Sequence, residues 1–363
     1  MSDNKLVKIV SEFISTTGTI SVDPLGAGHI NDSYIIVVNP EGEFLMQRIN
    51  HYIFKDVDAL QNNILRVTKH IRHKLESQNI PDIDRRVLTL LPTHDGKWYY
   101  RDNDGNYWRM MKFISDSVSY EAITPELAYK AGRAFGEFQS MLADIPGGPL
   151  TETIPNFHNM ESRLETFREV VKNNLAGRLS KVQDLVDEIE KRAEDMTKAE
   201  RMHREGKLPK RINHCDTKVN NILFDKTGNV LCVVDLDTVM PGYVLSDFGD
   251  FMRTGANNGA EDDADLNKVS INLDIFEAYT KGYLETAKSF LTPVEVENLA
   301  FGAKLLTYMQ TVRFLSDYID GDKYYKIHSP KHNLQRSNAQ FKLLQSMEEN
   351  FDRIQEIVNE AAK

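Results

Sequence analysis

The chain is 363 residues long, 41% hydrophobic and 27% charged, and its 44 Lys and Arg against 54 Asp and Glu give a net charge of −10. This usage excludes wholesale disorder, and the length predicts two or three domains or one two-lobed unit. No run approaches the roughly 18 apolar residues of a membrane-spanning helix, and an acidic surface argues against nucleic-acid partners while allowing a local basic pocket for an anionic nucleotide.

The opening residues, Met1-Ser-Asp-Asn-Lys-Leu-Val-Lys-Ile-Val, are charged and amphipathic and lack the apolar region of a signal peptide. Two cysteines, Cys215 and Cys232, make no disulfide framework, so a cytoplasmic location is expected. Residues 1–115 are dominated by strand-like runs at 33–38, 44–49, 86–91, 98–100 and 107–114. Asn39-Pro-Glu-Gly, His94-Asp-Gly-Lys and Asp102-Asn-Asp-Gly-Asn supply turns between them, and one helical pattern covers about 56–78. Pro24-Leu-Gly26-Ala-Gly28-His29-Ile-Asn31 joins two of the strand-like segments. Its glycines let backbone N–H groups approach a phosphate, although an ordinary hairpin turn explains them equally.

Beyond residue 124 the period is helical. Thr124-Pro-Glu-Leu offers an N-cap and a Pro at N1 for a helix ending near Ala143. Further helices are predicted at about 160–175, 178–204, 264–288, 293–319 and 334–361. An antiparallel-sheet lobe (1–115) followed by a larger helical lobe (116–363) is an α+β pattern, with a cleft between lobes as the expected ligand site.

The chemistry concentrates in Ile212-Asn-His-Cys-Asp-Thr-Lys-Val-Asn-Asn-Ile-Leu-Phe-Asp-Lys-Thr-Gly-Asn-Val-Leu-Cys-Val-Val-Asp-Leu-Asp. Residues 222–225 and 230–234 read as a hairpin turned by Lys226-Thr-Gly-Asn, so Asn221 before it and Asp235 after it are drawn together. Such an oxygen pair suits Mg²⁺. Asp216, five residues before Asn221, is placed to receive a proton from a substrate hydroxyl, and Lys218 to offset charge on a transferring phosphate. His214 reads as a buried, backbone-bonded histidine. Asp237 is either a second metal group or a carboxylate that holds the loop. Asp247-Phe-Gly-Asp250 lies too far past the hairpin to be a kinase metal motif, and Asp247 reads as an N-cap, a loop-fixing carboxylate or a substrate contact.

The spacing His214-x-Asp216-x-x-x-x-Asn221 resembles the catalytic loop of kinases. Asp235-Leu-Asp, standing where protein kinases have Asp-Phe-Gly, points to the aminoglycoside phosphotransferase and choline kinase-like branch. Within it, Gly28-His-Ile-Asn31, Val234-Asp-Leu-Asp-Thr-Val-Met-Pro-Gly and Arg313-Phe-Leu-Ser-Asp-Tyr-Ile-Asp-Gly-Asp-Lys-Tyr324 resemble the N-acetylhexosamine 1-kinases over nearly the whole chain. The resemblance implies a two-lobed protein kinase-like fold, with ATP and Mg²⁺ as cofactors. It implies phosphorylation of the anomeric hydroxyl of N-acetylglucosamine or N-acetylgalactosamine. Asp216 would be the base with Lys218 beside it, and Asn221 and Asp235 the metal ligands. Gly26, Gly28 and Asn31 would cover the nucleotide phosphates, and backbone groups near Lys112 and Ile114 would pair with adenine.

His29, Arg313 and Tyr324 would contact the sugar. For Arg313 an ion pair with Asp317 is the alternative, and for Tyr324 simple packing. Gln47 departs from the family pattern, since it stands where the third-strand lysine belongs. Two other readings stay open: a same-fold kinase for an amino alcohol, aminoglycoside or other sugar, and a non-catalytic nucleotide-binding protein. The partners expected are the sugar and ATP, for a monomer or homodimer.

Overall fold

The computed structural model describes residues 3–26 and 30–363. In chain order the elements are α1 (Asp3–Val10), β1 (Ile20–Pro24), β2 (Asp32–Val38), β3 (Gly42–Ile49), α2 (Val57–Ser77), β4 (Leu90–Leu91), β5 (Tyr100–Arg101), β6 (Tyr107–Lys112), β7 (Ser117–Val118), α3 (Pro125–Leu142), α4 (Met160–Asn173), α5 (Gln183–Met196), α6 (Lys198–Arg204) and β8 (Arg211–Asn213). They continue with β9 (Ile222–Asp225), β10 (Val230–Val233), β11 (Met240–Gly242), α7 (Val244–Gly255), α8 (Leu273–Ala287), α9 (Pro293–Glu297), α10 (Leu299–Asp320), α11 (His332–Glu349) and α12 (Phe351–Ala361). This is the α+β kinase-like fold expected, an antiparallel sheet followed by a largely helical remainder. Among the described residues no helix is long and apolar enough to cross a membrane.

Contacts divide the chain into two compact units. One comprises Met1–Val118, Asp144–Ile154 and Leu223–Val239, and the other Ser119–Ala143, Pro155–Ile222 and Met240–Lys363. In the first, strands β1-β2-β3-β6-β4 form an antiparallel sheet with β5 also on β6, and β10-β9-β7 form a second, small sheet. The amphipathic start of the chain is a helix. Leu6, Ile9 and Val10 of α1 bury against Ile36 and Val38 of β2, Phe44 and Met46 of β3, and Trp108 and Met110 of β6. The β-branched run in β2 and the alternation in β3 suit a pleated face covered on one side by a helix. The strand predicted over 86–91 reduces to Leu90–Leu91, because residues 83–85 close a 3₁₀ turn just before it.

In the second unit α10 packs on α4, α7 and α11, and α3 packs on α8. Two helix pairs approach through glycine. A Cβ on Gly249 would stand 2.0 Å from the Gly302 carbonyl oxygen, and one on Gly282 2.0 Å from the Tyr129 carbonyl oxygen, so any side chain there forces the helices apart. Helix α3 begins as expected, with Thr124 accepting from Leu127 N–H and Pro125 in the first turn. The helix predicted over 264–288 begins only at Leu273, where Asn272 caps it by accepting from Ile275 N–H at 3.1 Å.

Glu200 on α6 holds the start of α4: its Oε1 accepts from Met160 N–H at 2.6 Å, and the side chain is buried. Burial pushes this carboxyl up to about 7 from an ordinary 4.5. A folded value above the unfolded one means that the folded state holds the proton more tightly. The stability Glu200 contributes is therefore complete below about pH 4.5 and is lost as pH rises through about 7. Glu200→Gln is expected to flatten the melting temperature between pH 4.5 and 7.5 relative to wild type, as thermal melts across that range will show.

Candidate active site

The residues expected to form the catalytic loop lie in the second unit, between β8 and β9. Two carboxylates on α7 hold this loop by its backbone. Asp247 accepts from His214 N–H at 2.7 Å and Cys215 N–H at 2.8 Å, and from Gln139 Nε2 at 2.7 Å. Asp250 accepts from Thr217 N–H at 2.9 Å, and the Thr217 hydroxyl donates to the Asp247 carbonyl at 2.6 Å. Cys215 thereby sits at φ +63°, a left-handed conformation that a non-glycine residue keeps only when its surroundings enforce it. Asp247 is thus a loop-fixing carboxylate and not the N-cap, which is Tyr243. Burial pushes the Asp247 carboxyl up to about 6, against the pull of His214 and the two backbone N–H groups. His214 is fully buried, its ring edge-on to Phe135 and Phe138 at 5.6 and 5.8 Å.

The loop brings Asp216, Lys218 and Asn221 together. Lys218 Nζ lies 3.1 Å from Asp216 Oδ1, and Asn221 Nδ2 donates to the Asp216 carbonyl at 2.8 Å and to Oδ2 at 3.1 Å. Burial favours protonation of Asp216, but the charges of Lys218, His214 and Arg253 outweigh it and hold the carboxyl below the usual range. An ionised carboxylate that touches an ammonium and keeps contact with solvent is equipped to take a proton. Asn221 thus spends its amide nitrogen on Asp216, and its amide oxygen is an acceptor. Arg253 is itself held by Asp250 (2.8 Å) and by Glu261.

The same unit holds an aromatic and cationic wall that spacing alone did not predict. The Arg313 guanidinium stands 5.1 Å from the Phe157 ring and 5.7 Å from the Tyr325 ring, and it donates to Gln310 at 2.7 Å. The alternative, an ion pair with Asp317, does not form, since Asp317 is buried and accepts from the N–H groups of Lys323, Tyr324 and Tyr325 and from Asn333. Tyr324 is 61% exposed with its ring edge-on to Tyr325, so packing does not account for it. Arg163 donates twice to the Phe157 carbonyl, and burial together with the Arg313 charge pushes its guanidinium down to about 10.

In the first unit the expected nucleotide residues hold one another. Asn31 donates to Asp237 and accepts from Asn50 N–H at 2.9 Å. Gln47 donates to Ser33 at 3.0 Å and accepts from Arg109 at 2.9 and 2.7 Å. Arg109 faces Gln47 in the β3–β6 register, and its guanidinium grips both oxygens of Asp237, one at 2.9 Å. Arg109 and Asp237 are each 2% exposed, so Asp237 is a loop-holding carboxylate. A charge inside the apolar run Trp108-Arg109-Met110-Met111 was the available sign of such a pair.

Asp235 is exposed and left-handed at φ +59°, the start of the turn that carries Asp237. Lys112 N–H is already engaged by the Thr89 carbonyl at 2.9 Å, its ammonium by Asp84 at 2.8 Å, and the Ile114 carbonyl by the Ser117 hydroxyl at 2.7 Å. Gly26 has φ +57° in the β1–β2 connection. Gly28 and His29 lie outside the described residues.

The sequence matches the phosphotransferase enzyme family (APH) over residues 21–281. Among solved structures, an aminoglycoside phosphotransferase from Alicyclobacillus acidocaldarius is similar with a TM-score of 0.60 at 11% identity, over 98% of this chain and 96% of that one. Choline kinase from Cryptosporidium parvum gives 0.59 at 12%, over 99% of both chains. A spectinomycin phosphotransferase, solved with ADP and spectinomycin, gives 0.56 at 12%, over 99% and 98%.

Proposed function

The chain belongs to the phosphotransferase enzyme family, and from that premise we propose that it is an ATP-dependent kinase for the anomeric hydroxyl of N-acetylglucosamine or N-acetylgalactosamine, yielding the sugar 1-phosphate. The observation that carries the choice of acceptor is the charge of the aromatic and cationic wall. Arg313 and Arg163 have no carboxylate partner among the described residues, since they donate to Gln310 and to the Phe157 carbonyl, whereas Asp216 is paired with Lys218 and Arg253 is shared by Asp250 and Glu261. A cationic acceptor such as choline, ethanolamine or an aminoglycoside would meet uncompensated positive charge. A neutral polyhydroxylated sugar meets guanidinium donors and flat aromatic faces instead.

In this reading Asp216 orients the acceptor hydroxyl and takes its proton as the oxygen bonds to the γ-phosphorus and the bond to the β–γ bridging oxygen breaks. Lys218 keeps Asp216 ionised and in place. Arg313 and Tyr324 position the sugar, with His29 the third expected contact. Catalysis is mostly positioning and charge stabilisation. Asn221 and Asp235 offer only oxygen donors, an amide and an exposed carboxylate, which fits Mg²⁺; that ion would neutralise phosphate charge. Asp235→Ala is expected to weaken Mg²⁺-dependent nucleotide binding more than Asn221→Ala, because a carboxylate contributes a full charge and an amide a dipole. Calorimetry with ATP and Mg²⁺ measures both, and equal losses would contradict the ranking.

The reading is tested by ADP release over N-acetylglucosamine, N-acetylgalactosamine, glucose, choline and an aminoglycoside. Turnover is expected on the two acetamido sugars, lost with a 1-deoxy analogue and kept with a 6-deoxy one, and ³¹P NMR is expected to place the phosphate on O1. Phosphate on O6, or rapid turnover of choline with none of the sugars, overturns it.

A further inference from the structure

Nδ1 of His158 and the hydroxyl of Tyr325 are buried and, among the described residues, have no hydrogen-bond partner. Each such group costs about 1–3 kcal/mol unless something satisfies it. The two are gathered at Arg313. The His158 ring stacks on Phe157 at 4.6 Å and 20°, and the Arg313 guanidinium stands over both Phe157 and Tyr325. Arg163 locks this arrangement from behind through the Phe157 carbonyl. Arg313 gives one donor to Gln310, and a guanidinium carries five. The His158 imidazole senses Arg313, Arg163, Arg253 and Asp216, so it belongs to the region of the catalytic loop. Burial first, and then the three arginines, hold it well below the ordinary histidine range, and a neutral imidazole keeps one nitrogen that accepts.

We propose that His158 and Tyr325 are acceptor-contacting residues that, with Arg313, recognise the acetamido group of the sugar. The inference rests on the sugar reading of the acceptor. A secondary amide is planar and carries one acceptor oxygen, one N–H donor and a methyl group. Arg313 and the Tyr325 hydroxyl supply donors for the oxygen, and Nδ1 of His158 accepts the N–H. A bare hydroxyl at the same carbon leaves part of the polar set unmatched, and buried polar groups left unmatched are what give such sites their discrimination.

The test is steady-state kinetics on N-acetylglucosamine and glucose for wild type, His158→Phe and Tyr325→Phe, with KM for ATP measured in parallel. Each variant is expected to lower the N-acetylglucosamine-to-glucose ratio of kcat/KM about tenfold, the effect of one hydrogen bond, while KM for ATP stays at its wild-type value. A merely structural role would lower both sugars together and leave the ratio unchanged, which overturns the inference alone. A wild-type enzyme that turns over neither sugar overturns the sugar reading and this inference with it. Tyr325→Phe removes a single oxygen from a ring that stays packed, so it decides the matter if thermal melts show that His158→Phe does not fold.

Discussion

Asp216→Asn is expected to lower kcat at least about 100-fold, the low end for loss of a positioned general base, while ATP affinity stays near wild type. The substitution is isosteric. Asn221 keeps its bond to the carbonyl oxygen of residue 216, and the loop is held at His214, Cys215 and Thr217 by Asp247 and Asp250, so the geometry survives. What disappears is the charge. An amide cannot take the acceptor proton, and Lys218 loses the anion 3.1 Å away. A fall in kcat with KM for ATP unchanged identifies an interaction made in the transition state. Turnover near the wild-type rate would move the base elsewhere.

Asp237→Ala is expected to be the most destabilising single change in the first unit. It strands the Arg109 guanidinium, 2% exposed, without the carboxylate that both of its terminal nitrogens reach. Removing one partner of a buried pair typically costs about 3–5 kcal/mol, because the remaining charge is left uncompensated. At roughly 2–4 °C per kcal/mol the melting temperature should fall by several degrees or more. Asn31 loses a partner as well, so the 235–238 turn loosens and nucleotide binding should weaken together with stability. The double variant Arg109→Met/Asp237→Leu removes both charges and is expected to recover much of the lost melting temperature. Thermal melts of the three proteins check this, and a double variant no better than Asp237→Ala would show that the charge is not the cause.

The element types were legible because each follows from a local pattern. The glycine-marked hairpin at 226–229, the Thr124-Pro125 helix start and the five-residue spacing from Asp216 to Asn221 are all contained within a few residues. Three predicted helices nevertheless break. Residues 178–204 part at Thr197, 293–319 at Asn298 and 334–361 at Asn350. At each break a short polar side chain turns back on its own helix: Thr197 Oγ1 to the Glu194 carbonyl at 2.8 Å, Asn298 Nδ2 to the Val294 carbonyl at 2.8 Å and Asn350 Nδ2 to the Ser346 carbonyl at 2.8 Å. Such side chains compete with the helical ladder, but the apolar period runs on across the break and conceals it.

By itself the sequence placed the expected site residues along one short stretch, since the loop, the hairpin and the following aspartates are consecutive. Only the tertiary structure decided what holds them. Asp247 reaches back 33 residues to His214, Asp237 meets Arg109 across 128 residues, and Arg313 finds aromatic rings in place of the Asp317 four residues along its own helix. Such partners are chosen by burial. A charge removed from water must be matched by whatever group the packing brings within reach, and that group is set by the fold rather than by distance along the chain.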